Sequence, residues 1–531
     1  MSGLTLTDQT VRVTFDAFDL DAYSLFIRTK RLPEQTLTFD WEADTYTIET
    51  AARFAPMLGA ELDVPERTSL PLADHLFDYQ RWAVDMALDS KRFALWADTG
   101  LGKTAMYLEW VRQVRAMTGG SVLILAPLAV IPQVVREAER FDAGDVWHLE
   151  TREAMAHWCR DGRAIDGGPM LPPVAITNYE KFIPGVMPEL RYLAGIVADE
   201  SSILRTGGGT IKWNLIKSAR GVEYKLSCTA TPAPNEAMEY ASQAAFLEKL
   251  RNEGDILWTY FQRDKYGVWS VKPHAQQAFF AFMASWSLYM RDPAAFGFAD
   301  ILATLPDPVM TEERIPLTDD QRTRLQDFAV RSGKGLFAED RLGVKERIKF
   351  AQIARGFLYH GTGSSRRIEP VDSLKPEAVA SRAITEMAAG RQVLVWTAFD
   401  AEGEIIARLV DDERAAILTG SQPDGERQTI LDRFRAGEIR CLISKPSLIG
   451  YGLNLQFVTS MIFSGIDDSM ERRYQAIRRA YRFGQTEPVH VYTPYIPELE
   501  GAMFTNVAAK EARFLSEVAA QESHYRKALG R

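Results

Sequence analysis

Cysteine is scarce: Cys159, Cys228 and Cys441 are the only three in 531 residues, and no two of them form a CxxC pair. That spacing indicates neither a paired-thiol zinc site nor a disulfide framework, and it fits a reducing, intracellular compartment. Long apolar runs are missing as well. The stretch Val122–Pro132 is well short of the ~20 residues that a membrane span needs. The opening residues MSGLTLTDQT lack the basic-then-apolar pattern of a signal peptide. The expectation is a cytoplasmic chain with no membrane partner. Positive charge is in deficit, with 62 Lys and Arg against 71 Asp and Glu and a formal net charge of −9. A passive nucleic-acid coat would be basic, so that class is disfavoured. A motor that gathers its cations in one cleft is not excluded. Charge is locally uneven, because Glu471–Gln485 holds five arginines and a single acid. No repeat at a solenoid period and no low-complexity tract is found.

What is present is globular. The hydrophobic fraction of 46% and charged fraction of 25% are ordinary, and the length allows roughly three or four domains with large cores. Residues 1–70 form an expected N-terminal accessory domain. There Val11, Val13 and Phe15, then Leu37, Phe39 and Trp41, then Tyr46 and Ile48 alternate with polar residues, the period of short strands. From 71 to 245 apolar β-runs alternate with helical stretches: Arg92–Trp96, Val122–Ala126, Val174–Thr177, Gly195–Ala198 and Tyr224–Ser227. That order predicts an α/β domain, a parallel sheet covered by helices. Residues 246–377 are aromatic-rich, then partly basic, and are expected to be a helical insertion and linker. A second alternating region, 378–531, contains Val393–Trp396, Ala416–Leu418, Arg440–Ser444 and Met461–Ser464 and predicts a second parallel sheet.

Three motifs carry chemistry. Ala97-Asp98-Thr99-Gly100-Leu101-Gly102-Lys103-Thr104 lies between an expected strand and an expected helix, the setting of a phosphate cradle. Gly100 and Gly102 admit phosphates close to the backbone. Lys103 brings charge to the β- and γ-phosphates of ATP, and the Thr104 hydroxyl is a ligand for Mg2+. Ala97 stands where the common pattern has Gly. The second motif, Leu193–Ser202, ends an apolar strand with Asp199 and Glu200. Asp199 is the expected Mg2+ holder and Glu200 the base for the attacking water. Asp-Glu after an apolar run is weak alone and gains force downstream of a phosphate loop. The third is Tyr474–Gln485, where Arg479 and Arg482 are three residues apart and expected on one helix face. They are candidate arginine fingers for the γ-phosphate; a solvated basic helix is the bland alternative.

With those residues in place, the chain resembles helicase-superfamily-two ATPases of the Swi/Snf type, the double-stranded-DNA translocases. The resemblance runs over about residues 74–495 with its motifs in family order. Phe77–Arg81 resembles the adenine-reading motif, with Gln80 as base reader. Ala126-Pro127-Leu128 resembles motif Ia and Thr177-Asn178-Tyr179-Glu180 motif Ib. Thr229-Ala230-Thr231-Pro232 with Asn235 resembles motif III, which couples the two domains. Leu418–Ser421 with Glu426, Arg427 and Gln428 resembles the stretch before motif V, Gly450–Leu455 motif V, and Gln475–Gln485 motif VI. The resemblance implies two tandem RecA-like domains with a small N-terminal accessory domain and a helical insertion. It places ATP against Gln80, Thr99, Gly100, Leu101, Gly102, Lys103, Thr104 and Gly452. It places nucleic acid near Pro127, Thr177 and Asn178, with Arg427 and Lys445 as phosphate contacts, and coupling at Thr229, Ala230, Thr231 and Gln475.

Two positions depart from the pattern. Ser202 stands where many relatives carry His, which puts the coupling contact to motif III in doubt. Asp467-Asp468-Ser469-Met470 replaces an aromatic-and-proline turn. Residues 1–70 faintly resemble the HARP-like modules of annealing helicases, or simply pad the first core. The expected function is DNA-dependent ATPase activity with translocation on duplex DNA, remodelling forks or displacing bound protein. A strand-separating DNA or RNA helicase is the alternative within the class. The motor subunit of a restriction or phage-defence assembly, working through protein partners in repair, recombination or defence, is the alternative outside it.

Overall fold

The computed structural model describes residues 3–6, 10–15, 20–30, 32, 35–43, 45–51, 58, 70–163, 170–204, 209–233, 239–250, 253–263, 269–299, 305–332, 344–361, 366–449, 455–465, 470–482 and 484–528. The chain divides into two compact units, 1–300 with 516–531, and 301–515.

The first unit opens with a four-stranded antiparallel sheet in the order Gly3–Leu6, Thr10–Phe15, Thr45–Ala51, Thr36–Asp40. Val11, Val13, Phe15 and Ile48 are buried because alternate residues of a strand share a face. The helix Leu20–Lys30 packs on that face, with Phe26 edge-on to Phe15 at 5.5 Å. Toward the outer strand the same face stays open, and Trp41 is 87% exposed.

The unit's main sheet has seven strands, all parallel, in the order Ser287–Met290, Arg92–Ala97, Tyr224–Cys228, Gly195–Asp199, Val122–Leu125, Val174–Thr177, Val146–His148. Every residue of Val122–Leu125 and Gly195–Asp199 is buried, as a sheet covered on both faces requires. The first strand falls within the stretch expected to be a helical insertion. A four-residue apolar run beside the helix Gln276–Ala284 has no periodicity of its own that separates strand from helix. Pairing with Arg92–Ala97 decides it.

The second unit holds a six-stranded sheet, again all parallel, in the order Val309–Arg314, His490–Tyr495, Ser460–Phe463, Val393–Trp396, Cys441–Ser444, Ala415–Leu418. Leu394, Trp396, Leu442 and Met461 pack on one side, and Val393, Val395, Cys441, Ile443 and Ile462 on the other. Val309–Arg314 is again a strand inside the expected linker. It is an edge strand, half exposed and rich in Glu, which hides its apolar signal. The helices Asp319–Ser332 and Val344–Ala354 fill much of the rest of that segment. Two α/β units with parallel sheets and a small antiparallel N-terminal sheet thus agree with the expected class.

Candidate active site

Parallel strands deliver their C-terminal ends to one edge, where ligands of α/β sheets bind. In the first unit that edge gathers three of the motifs, because Tyr224–Cys228 lies between Arg92–Ala97 and Gly195–Asp199. The phosphate loop leaves Arg92–Ala97 and enters the helix Lys103–Thr118, so Gly102 is the residue just ahead of a helix N-terminus. Free N–H groups and the helix dipole favour an anion there. Gly100 and Gly102 have φ of 93° and 75°, a region costly for other residues. A Cβ on Gly102 would also stand 2.3 Å from Gln80 Nε2. Lys103 Nζ donates to the carbonyls of Ala97 at 2.9 Å and Asp98 at 3.3 Å, so the ammonium is held within the loop.

The candidate metal ligands meet at one phenol. Tyr107, wholly buried, lies 3.5 Å from Asp199 Oδ2 through its hydroxyl and also hydrogen-bonds the Thr104 side chain. Thr104 and Asp199 are therefore neighbours although 95 positions separate them in the chain. Burial, and then the neighbouring Glu200 charge, push the Asp199 carboxyl up to about 7, while Lys103 pulls the other way. Glu200 adopts φ of 50°, a left-handed conformation rare for a residue with a Cβ and typical of strained functional positions. Its N–H donates to Asp199 Oδ1 at 3.0 Å. Glu200 Oε2 and Thr99 Oγ1 are buried and meet no hydrogen-bond partner, the mark of groups shaped for something outside the chain. The Thr104 hydroxyl and the Asp199 carboxylate, joined through Tyr107, are hard oxygen donors of the kind that suits Mg2+.

Gln80 is buried, and both ends of its amide are engaged. Nε2 donates to the Leu101 carbonyl at 3.0 Å and Oε1 accepts from the Phe77 N–H at 3.0 Å. Reading a base would require one of these bonds to be exchanged. Of motif Ib, Thr177 is fully buried and its hydroxyl donates to the Leu149 carbonyl at 2.7 Å. Asn178 is buried and donates to Glu180 at 2.6 Å. The strand Val174–Thr177, buried on both faces, turns the Thr177 side chain inward. Pro127 is half-buried and precedes the exposed Leu128.

Motif III is buried at Thr229, Ala230 and Thr231, with the Thr231 N–H donating to Thr229 Oγ1 at 3.1 Å. Asn235 lies outside the described residues. Sequence reasoning missed Gln243. Its side-chain carbonyl accepts from Trp96 Nε1 at 3.0 Å, Ser201 Oγ at 3.1 Å and Ser227 Oγ at 2.6 Å, and its amide donates to the Pro232 carbonyl at 3.1 Å. One buried amide thus joins the strand feeding the phosphate loop, the residue after Glu200 and motif III. A Gln in the run Ala241–Phe246 carries no spacing signal. Tyr179 adds a further tie, donating to the Asp199 carbonyl at 2.5 Å.

In the second unit, Gly450–Asn454 and Asp467–Ser469 lie outside the described residues, so Gly452 has no described place. The helix Met470–Arg478 stops before Arg479. Arg479 and Arg482 therefore sit on consecutive turns rather than on one helix face, Arg479 buried and Arg482 half-buried. The Gln485 side chain explains the stop. It donates to the Gln456 carbonyl at 2.6 Å and accepts from the N–H groups of Thr486 and Glu487, folding the chain back. Gln475 is buried. Lys445 is 2.7 Å from Asp400 Oδ1 and Arg427 is half-buried.

Residues 375–484 match the family model of the Helicase conserved C-terminal domain. The chain is also similar to the chromatin remodeling factor mit1 of Schizosaccharomyces pombe, with 28% identity over 107 residues, 19% of this chain and 8% of that protein. Residues 375–484 thus mark the second unit as helicase-like. A longer match is to "Putative protein p41" of Acyrthosiphon pisum secondary endosymbiont phage 1, 25% identical over 412 residues, which cover 71% of this chain and 82% of that protein. Among solved structures, the Sulfolobus solfataricus SWI2/SNF2 ATPase core in complex with dsDNA is similar at 20% identity and a TM-score of 0.37, over 86% of this chain and 99% of that one. No helix among the described residues is long and apolar enough to cross a membrane.

Proposed function

We propose that this chain is a DNA-dependent ATPase that translocates on double-stranded DNA, remodelling forks or displacing bound protein. The observation that carries the ATPase part is the convergence of Lys103, Thr104, Asp199 and Glu200 on one sheet edge, with Tyr107 joining Thr104 to Asp199. Phosphates are held by the loop N–H groups and the Lys103 charge. Thr104 and Asp199 would hold Mg2+, which when bound neutralises charge on the phosphate oxygens. Glu200 orients the attacking water and takes its proton. Arg479 and Arg482 supply cationic charge to the γ-phosphate, and Thr229–Thr231 with Gln475 transmit the state of the nucleotide. Pro127, Arg427 and Lys445 are the candidates for the DNA backbone, Lys445 after exchanging Asp400 for a phosphate. The duplex part of the reading is supported by the Swi/Snf-type resemblance of motifs V and VI.

The test is the ATPase rate with no nucleic acid, duplex DNA, single-stranded DNA and RNA, across a salt series. Duplex DNA should stimulate most, with binding weakened by salt through counterion release. Stronger stimulation by RNA at every salt concentration overturns the duplex assignment. Release of single strands under ATP favours the helicase alternative, and turnover that appears only with a partner protein favours the motor-subunit alternative.

A further inference from the structure

The phosphate loop carries an acid where negative phosphates are to bind. Asp98 is buried and follows Ala97 directly, at the start of the loop. Its Oδ1 accepts the Thr99 N–H at 2.7 Å, so the carboxylate is built into the turn rather than pointing to water. An uncompensated buried carboxylate is costly, and one this close to triphosphate would repel it. A compensating cation comes from a distant part of the chain. Arg291 follows the edge strand Ser287–Met290, which lies beside the strand that feeds the loop. The Asp98 N–H donates to the Met290 carbonyl at 2.9 Å, which fixes the two segments in register. The guanidinium then stands with Nε 3.9 Å from Asp98 Oδ2, an ion pair without a hydrogen bond, and only a quarter of the arginine side chain is exposed.

Arg291 is itself held from the end of the chain. The Arg291 N–H donates to Glu522 Oε1 at 2.8 Å, and Glu522 also accepts from the Asp292 backbone. Glu522 lies in the last turns of the helix Pro497–Ala528 and belongs to the same compact unit as the phosphate loop. Asp292 caps the short helix Pro293–Phe296 through the Ala294 N–H at 2.8 Å. A half-buried glutamate thus anchors the very turn from which Arg291 projects.

We propose that Arg291 is a positioning residue for nucleotide, neutralising Asp98 so that the phosphate loop accepts ATP, and that Glu522 on the C-terminal helix holds it there. The inference rests on Ala97–Thr104 being the ATP site. It makes ATP affinity depend on the docking of the last turns of the chain, a region that none of the motifs includes. The acid itself has a use in shaping the loop, and Arg291 removes its electrostatic cost.

The experiment is a double-mutant cycle on the full-length protein. It reads KM and kcat for ATP and the Kd of a fluorescent ATP analogue. Arg291→Ala should raise KM and Kd about tenfold or more with a smaller change in kcat. Asp98→Asn in the Arg291→Ala background should restore both to within about threefold of wild type, because the amide still accepts the Thr99 N–H without carrying charge. A purely structural role for Arg291 would give no such rescue. Glu522→Ala should raise KM severalfold, whereas Glu522→Gln, whose amide oxygen still accepts, should stay near wild type. An Arg291→Ala protein with unchanged Kd, or a double variant no better than the single one, overturns the proposal while leaving the ATP site intact. If the wild-type chain itself fails to bind the analogue, the ATP-site reading fails instead.

Discussion

Asp199→Asn should make the protein more stable at pH 8 while abolishing hydrolysis. Burial and Glu200 raise the Asp199 carboxyl from 3.8 to about 7 in the folded chain. The folded pKa lies above the unfolded one, so between about pH 4 and 7 the native state binds a proton that the unfolded state has released. Stability therefore falls as pH rises through that window and is flat above it. At about 1.4 kcal/mol per pH unit the full rise corresponds to roughly 4 kcal/mol. Allowing half for relaxation and water penetration leaves about 2 kcal/mol. For a unit of this size about 2–4 °C accompany each kcal/mol, which gives a rise in Tm of about 4–8 °C. The amide stays neutral; its oxygen still accepts the Glu200 N–H, and its NH2 faces the Tyr107 oxygen as a donor. Thermal unfolding of wild type and variant would be followed at pH 5 and pH 8, without nucleotide or magnesium. The gap should be largest at pH 8 and shrink to less than half at pH 5. A variant that melts at or below wild type at pH 8 would refute the claim that a charged carboxylate is costly there, and with it the argument for a preformed cation site.

Lys103→Ala should lose ATP turnover, and Glu200→Gln should retain nucleotide binding while hydrolysis stops, as read by analogue titration beside phosphate release; loss of binding in the second variant would mean that Glu200 is structural. Arg479→Ala or Arg482→Ala should lower kcat on the order of 10³-fold with ATP affinity nearly kept, the scale of an arginine finger; unchanged kcat in both removes the finger assignment. Gln243→Leu leaves the Ser201 and Ser227 hydroxyls and the Trp96 indole without their shared acceptor, at about 1–3 kcal/mol for an unmatched buried group. ATP affinity should stay within about threefold while stimulation by nucleic acid falls, and full stimulation would show that Gln243 only packs.

How much was legible divides along physical lines. The strand cores Val174–Thr177 and Val393–Trp396 were readable to the residue, because strands covered on both faces are unbroken apolar runs between turns. The turn between the strand Arg92–Ala97 and the helix Lys103–Thr118 was readable because Gly, Lys and Thr stand at consecutive places after an apolar run. By itself, then, the sequence determined two α/β units, a glycine-bearing loop between a strand and a helix, and a pair of carboxylates at a strand end. The tertiary structure decided whatever depends on pairing between distant segments. Ser287–Met290 is a strand because Arg92–Ala97 offers it an edge. The Thr177 side chain faces the interior because its strand is covered on both faces. Arg479 and Arg482 lie on turns because Gln485 closes the chain onto Gln456. The partners of the site, Gln243, Arg291 and Glu522, come from segments with no periodicity or spacing to mark them. A buried amide or an ion pair is specified by what faces it, and what faces it is set only when the strands have found their order.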